Sequence, residues 1–173
     1  MAPVRHLVRR FLGSLRPGGP SRDDVAWVTS LLNERELQLW SRMYGPDRRH
    51  SVQVARSVQR ELADDATPPV LAAALLHDVG KLDSQLRTFG RVVATLTIRL
   101  AGRDEVITWQ RSRGLHRRIA LYARHPELGA DMLTLAGSDP LTVAWTREHH
   151  LPRDEWTVAT PIAAVLDSCD TVL

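Results

Sequence analysis

At 173 residues, 43% of them hydrophobic and 25% charged, the chain has the size and composition of one globular domain with a real hydrophobic core. No run approaches the roughly 18 apolar residues that span a bilayer, the N-terminus lacks the continuous apolar stretch of a secretory signal, and the single cysteine, Cys169, excludes an intrachain disulfide or a multi-cysteine zinc site. The net charge of +3 comes from 22 arginines and one lysine, Lys81, read here as scattered among acids; no stable nucleic-acid partner and no transmembrane segment are expected, and a cytoplasmic location is the default.

Helical spacing recurs along the chain and strand-like alternation does not. An amphipathic segment runs from Val4 to Leu15 and stops at Pro17-Gly18-Gly19-Pro20, so residues 1–20 read as a helical extension and 21–173 as the main domain. Ser21 caps a helix with apolar positions Val25, Val28, Leu31, Leu32, Leu37 and Leu39, which Gly45-Pro46 ends. Asp47 opens the next helix, carrying His50, Val54, Val58 and Leu62. Pro68-Pro69 starts a short, very apolar helix that stops at His77-Asp78-Val79-Gly80-Lys81. The stretch from Asp83 to Arg124 reads as further helices broken near Gly102 and Gly114. His125-Pro126, Asp139-Pro140 and Thr160-Pro161 each start another, the second ending at Glu148-His149-His150. The fold class is all-α, a single-domain helical bundle. The five tryptophans are expected to fill core or inter-helix space, and the apolar positions Val92, Val93, Leu96 and Leu100 to pack over the site rather than lie on a membrane.

Five of the seven histidines fall at or beside helix ends: His50, His77, His125, His149 and His150. Any one of them alone is more often a hydrogen-bonded core residue than a ligand, and Asp78 before Val79-Gly80 is also a good turn former. Taken together with Asp78 and with Asp167 in the last helix, they form an imidazole and carboxylate set suited to manganese, iron, nickel or zinc. Calcium would want oxygen ligands alone.

The run Leu75-Leu76-His77-Asp78-Val79-Gly80-Lys81 resembles the core motif of the HD superfamily of metal-dependent phosphohydrolases. His50 stands 27 residues upstream of His77, and Asp167 lies in a late helix, which is the order that family shows. His125-Pro126-Glu127-Leu128-Gly129-Ala130, followed 24 and 25 residues later by His149 and His150, is similar to the branch holding two or more metals, which includes HD-GYP phosphodiesterases and diadenosine tetraphosphate hydrolases. The resemblance implies an HD-type bundle with two divalent ions held by His50, His77, Asp78, His125, His149, His150 and Asp167, with Asp78 bridging. It implies hydrolysis of a phosphoester or phosphoanhydride of a nucleotide or other small phosphorylated molecule by metal-activated water. Asp78 and Lys81 would be catalytic; Lys81, Arg87, Arg91, Arg124 and Arg153 are candidate substrate contacts, although a solvated surface position is the commoner role for an arginine. The Gly-Tyr-Pro loop is absent, since Leu151-Pro152-Arg153-Asp154-Glu155-Trp156 follows the paired histidines, and cyclic di-GMP is therefore not the expected substrate. The competing expectation is a non-catalytic regulatory or scaffold domain on the same fold. A homo-oligomer is compatible with the sequence.

Overall fold

A computed structural model describes residues 18–172, and every described element is helical. The expected helix over Val4–Leu15 lies outside the described residues. In chain order the α-helices are α1 (Arg22–Leu31), α2 (Glu34–Arg42), α3 (Gly45–Leu62), α4 (Pro68–Leu76), α5 (Lys81–Ser84), α6 (Thr88–Ala101), α7 (Arg103–Thr108), α8 (Gly114–Ala123), α9 (His125–Ala136), α10 (Pro140–Glu148) and α11 (Thr160–Val172).

The single helix expected after Ser21 is two. The chain extends at Leu32 (φ −93°, ψ 144°), and Asn33 starts α2 with its own capping box, its Oδ1 accepting from Glu36 N at 3.0 Å while Glu36 Oε2 accepts from Asn33 N at 2.9 Å. A reading that simply continues the apolar residues from Leu31 and Leu32 to Leu37 and Leu39 misses this break, which the local Asn-x-x-Glu signal marks. Gly45-Pro46 likewise begins α3 rather than ending α2, with Pro46 in the first turn, where its missing N–H costs nothing.

Helix α4 is the hub. Every side chain from Val70 to Leu76 is buried, because α3 packs on one side, α10 on another, and α1 and α2 also reach it. The Thr142 hydroxyl of α10 donates to Pro69 O at 3.0 Å, tying α10 to the start of α4. Helix α11 lies on α3, and α9 on α10. Trp40 and Trp145 are buried in this main core, with Trp27 and Trp156 packed on its margin. A smaller core formed by Leu86, Ala94, Val106, Ile119 and Ala123 joins α6, α7 and α8, with Trp109 beside it.

The two parts meet where the turn after α4 crosses α9. A Cβ on Gly80 would fall 1.9 Å from His125 O and 2.6 Å from Gly129 N, and one on Gly129 would fall 3.0 Å from Gly80 N. Only glycine allows backbone to touch backbone here. This contact brings the His77-Asp78 pair against the first turn of α9.

Candidate metal centre

Helix ends build the site. His77 and His149 are the residues at which α4 and α10 terminate, and His125 opens α9 directly after α8. Each ring has the same backbone partner three residues earlier. His77 Nδ1 lies 3.0 Å from Ala74 O, His125 Nδ1 2.8 Å from Tyr122 O, and His149 Nδ1 2.9 Å from Thr146 O. A carbonyl can only accept, so each Nδ1 carries the proton, and each Nε2 is left with a lone pair. Those three Nε2 atoms and Asp78 Oδ1 are buried and, among the described residues, have no hydrogen-bond partner. Buried polar atoms are nearly always satisfied, so four such atoms gathered in one place form a group that could hold a cation.

The ligand atoms fall into two groups, each within 4.8 Å. One is His125, His149 and His150; the other is His50, His77 and Asp170. Asp78 stands between them. Its Oδ1 is 3.4 Å from His125 Nε2 and 3.8 Å from His149 Nε2, and its Oδ2 is 3.5 Å from His77 Nε2. Thus the residues expected as ligands do converge, with one exchange. Asp167 is outside both groups: its Oδ2 accepts from Arg153 Nη2 at 3.0 Å. In its place Asp170, one turn later on α11, sets Oδ1 2.8 Å from His50 Nε2 and 3.7 Å from His77 Nε2. Both carboxylates directly follow a buried apolar residue, Leu166 or Cys169, so the pattern could not choose the turn; the level at which α11 meets His50 chooses it.

Electrostatics favour a site ready for cations. Burial alone would raise the Asp78 pKa, but the Lys81 ammonium, 2.5 Å from Oδ2, and then His77 hold it well below the ordinary 3.8. Burial works against the Lys81 charge too, yet Asp78 overcomes this and the Lys81 pKa is raised. Burial lowers the His125 and His149 pKa values, so both rings are neutral and able to ligate at pH 7. Burial of its inner side and His125 push His150 down to about 3, although its outer side is exposed and solvent there opposes the shift.

A cavity of about 440 Å³ opens beside Asp78 and Lys81. Arg42, Arg87, Arg91 and Arg118 line it together with Asp47 and Tyr44. The arginines are thus less scattered than the linear sequence suggests: five cations face two carboxylates around one cavity. Arg91 is fixed by Asp47 Oδ1 at 2.5 Å and Leu86 O at 2.9 Å, and Arg118 by the carbonyls of Ser84 and Gln85. Of the expected substrate contacts, Lys81, Arg87 and Arg91 line this cavity. Arg124 donates to Gln110 Oε1 at 2.5 Å, and Arg153 is held by Asp167; neither lines it. Arg42 and Arg118 are additions that no local motif signals.

Behind the paired histidines, buried Glu148 accepts from Thr157 N at 2.7 Å, from Val158 N at 3.2 Å and from the Thr157 hydroxyl. It closes the loop from His150 to α11 and so fixes the spacing between the two ligand groups. No family model, curated protein or solved structure matches the chain.

Proposed function

We propose that the chain is a metal-dependent phosphohydrolase of the HD type, cleaving a phosphoester or phosphoanhydride of a nucleotide or another small phosphorylated molecule. The observation that carries this reading is the Asp78 carboxylate lying between two sets of three potential ligands, with buried Nε2 atoms turned toward it. The ligand order along the chain, with Asp170 replacing Asp167, supports the same reading. So does the cationic cavity at the site's edge, which suits phosphate oxygens.

The residues fit two divalent cations of the manganese, iron, nickel or zinc kind: His125, His149 and His150 for one, His50, His77 and Asp170 for the other, and Asp78 for both. Bound there, such ions supply Lewis acidity toward phosphoryl oxygens and lower the pKa of a water. The chain's own groups orient and balance the charge. Lys81 holds Asp78 ionised and presents its ammonium to the cavity, where it meets a phosphate oxygen. Arg87 and Arg91 bind the remainder of the phosphorylated group, Arg91 being held in place by Asp47. The Nδ1–carbonyl bonds keep three histidine rings in the tautomer that ligation needs.

The test is metal analysis of the purified chain followed by assay against nucleotides, dinucleotides and bis-p-nitrophenyl phosphate after loading with each of the four metals. Hydrolysis that disappears in Asp78→Ala supports the enzyme. Tight binding of metal with no hydrolysis of any of these would leave the regulatory-domain reading in its place.

A further inference from the structure

Helix α6 turns an apolar stripe to solvent. Phe89, Val92, Val93, Leu96 and Leu100 follow the i, i+3, i+4, i+7, i+11 spacing of a single face, and Phe89, Leu96 and Leu100 are 75%, 54% and 88% exposed. The helix is held to the small core from its other side, through Ala94 and Ile98. The stripe was expected to pack over the site, and it does not. A contiguous exposed apolar face on a small domain marks an interaction surface.

Charge selects its occupant. Residues 85–118 contain eight arginines against Asp104 and Glu105, although the whole chain is only +3. Arg87, Arg91 and Arg118 face the cavity and Arg103 pairs with Glu127, which leaves Arg99, Arg111, Arg113 and Arg117 exposed. A second copy docked through α6 would press one arginine-rich surface on another. Residues 1–16, with four arginines and no acid, would do the same. A nucleic acid would neutralise the arginines and leave Phe89 and the leucines in water. An anionic bilayer satisfies both features, since its boundary region takes apolar side chains while its phosphates meet arginine. We propose that α6 is a peripheral docking helix for an anionic lipid surface, with Phe89, Leu96 and Leu100 inserted and Arg99 at headgroup level.

The experiment is co-sedimentation of the full chain with phosphatidylcholine vesicles, with and without phosphatidylglycerol, at low and high salt, beside a light-scattering mass measurement. The expected result is binding only to the phosphatidylglycerol vesicles, weakened by salt. It should fall by about tenfold or more in the Phe89→Gln, Leu96→Gln, Leu100→Gln triple variant, whose melting temperature stays that of the wild type because all three side chains are exposed. Equal binding to both vesicle types, or unchanged binding by the triple variant, overturns the proposal. So does loss of binding on replacing Arg5, Arg9 and Arg10 while the α6 variant binds normally, which would transfer the docking to the N-terminal segment. A wild-type dimer that the triple variant converts to monomer, with no vesicle binding, would assign the stripe to a second copy.

Discussion

Asp170 and Asp167 differ by one helical turn, and that turn separates two roles. On the proposed two-ion reading, Asp170→Asn should remove the ion that His50 and His77 would share, taking metal content from about two ions per chain toward about one, whereas Asp167→Asn should leave it unchanged. Elemental analysis of the two purified variants decides between them. His125→Ala should cause a similar loss from the other group while keeping the His50–Asp170 ion. Lys81→Ala removes a charge and no ligand, so hydrolysis should fall by about 10²-fold with metal content nearly constant. At this scale the sequence was informative about histidines and less so about carboxylates. His77, His125 and His149 announce themselves at helix ends, where the ring reaches its own i−3 carbonyl. An aspartate on a long helix has equivalent positions each turn, and only packing distinguishes them.

Between elements, the Gly80 crossing and the Glu148 clasp fix the geometry. Gly80→Ala must push the turn after α4 away from α9, at a cost of about 3 kcal/mol or more. Gly90→Ala offers the contrast: its Cβ would first meet the movable Leu86 side chain, and the change should stay within about 1 kcal/mol. Thermal melts of both variants test this, and similar melting temperatures would refute the steric account. Glu148→Ala leaves buried Val158 N without its acceptor and should cost about 2 kcal/mol while loosening metal binding at His149 and His150. Helix starts at His125-Pro126, Asp139-Pro140 and Thr160-Pro161 were legible because proline and capping residues act locally. The division at Asn33 was hidden because apolar residues recur closely on both sides of it. The Gly80–Gly129 contact joins residues far apart in sequence, and neither glycine reveals the other.

For the molecule as a whole, burial of the histidines sets an acid limit. In chelator-treated protein His125 and His149 have folded pKa values below their ordinary 6.5, so the unfolded chain binds more protons at low pH. Their contribution is complete above about 6.5 and is lost as pH falls below it; Asp78, also lowered, adds a loss below its ordinary 3.8. Lys81 acts in the opposite direction, stabilising below its ordinary 10.5 and ceasing to do so as pH rises past its raised folded value. Melting temperature should therefore form a plateau between about pH 7 and pH 10 and drop on the acid side. A melting temperature that rises on acidification from pH 7 to pH 5 would contradict the neutral, buried state of these rings.

If a divalent metal binds at the proposed site, His77, His125 and His149 Nε2 with Asp78 Oδ1 make the chain's stability a gauge of that binding. A metal that binds the folded arrangement better than the unfolded chain would make folding and loading a single linked equilibrium. A free metal concentration one hundred times the dissociation constant adds about 2.7 kcal/mol to folding stability per site. Two chains of identical sequence, one from a metal-starved preparation and one replete, should then melt several degrees apart, and calorimetry across a metal series would rank manganese, iron, nickel and zinc by preference before any substrate is known. In a cell the same linkage would make lifetime depend on metal supply: a copy that stayed empty would spend longer unfolded and be removed first by proteolysis.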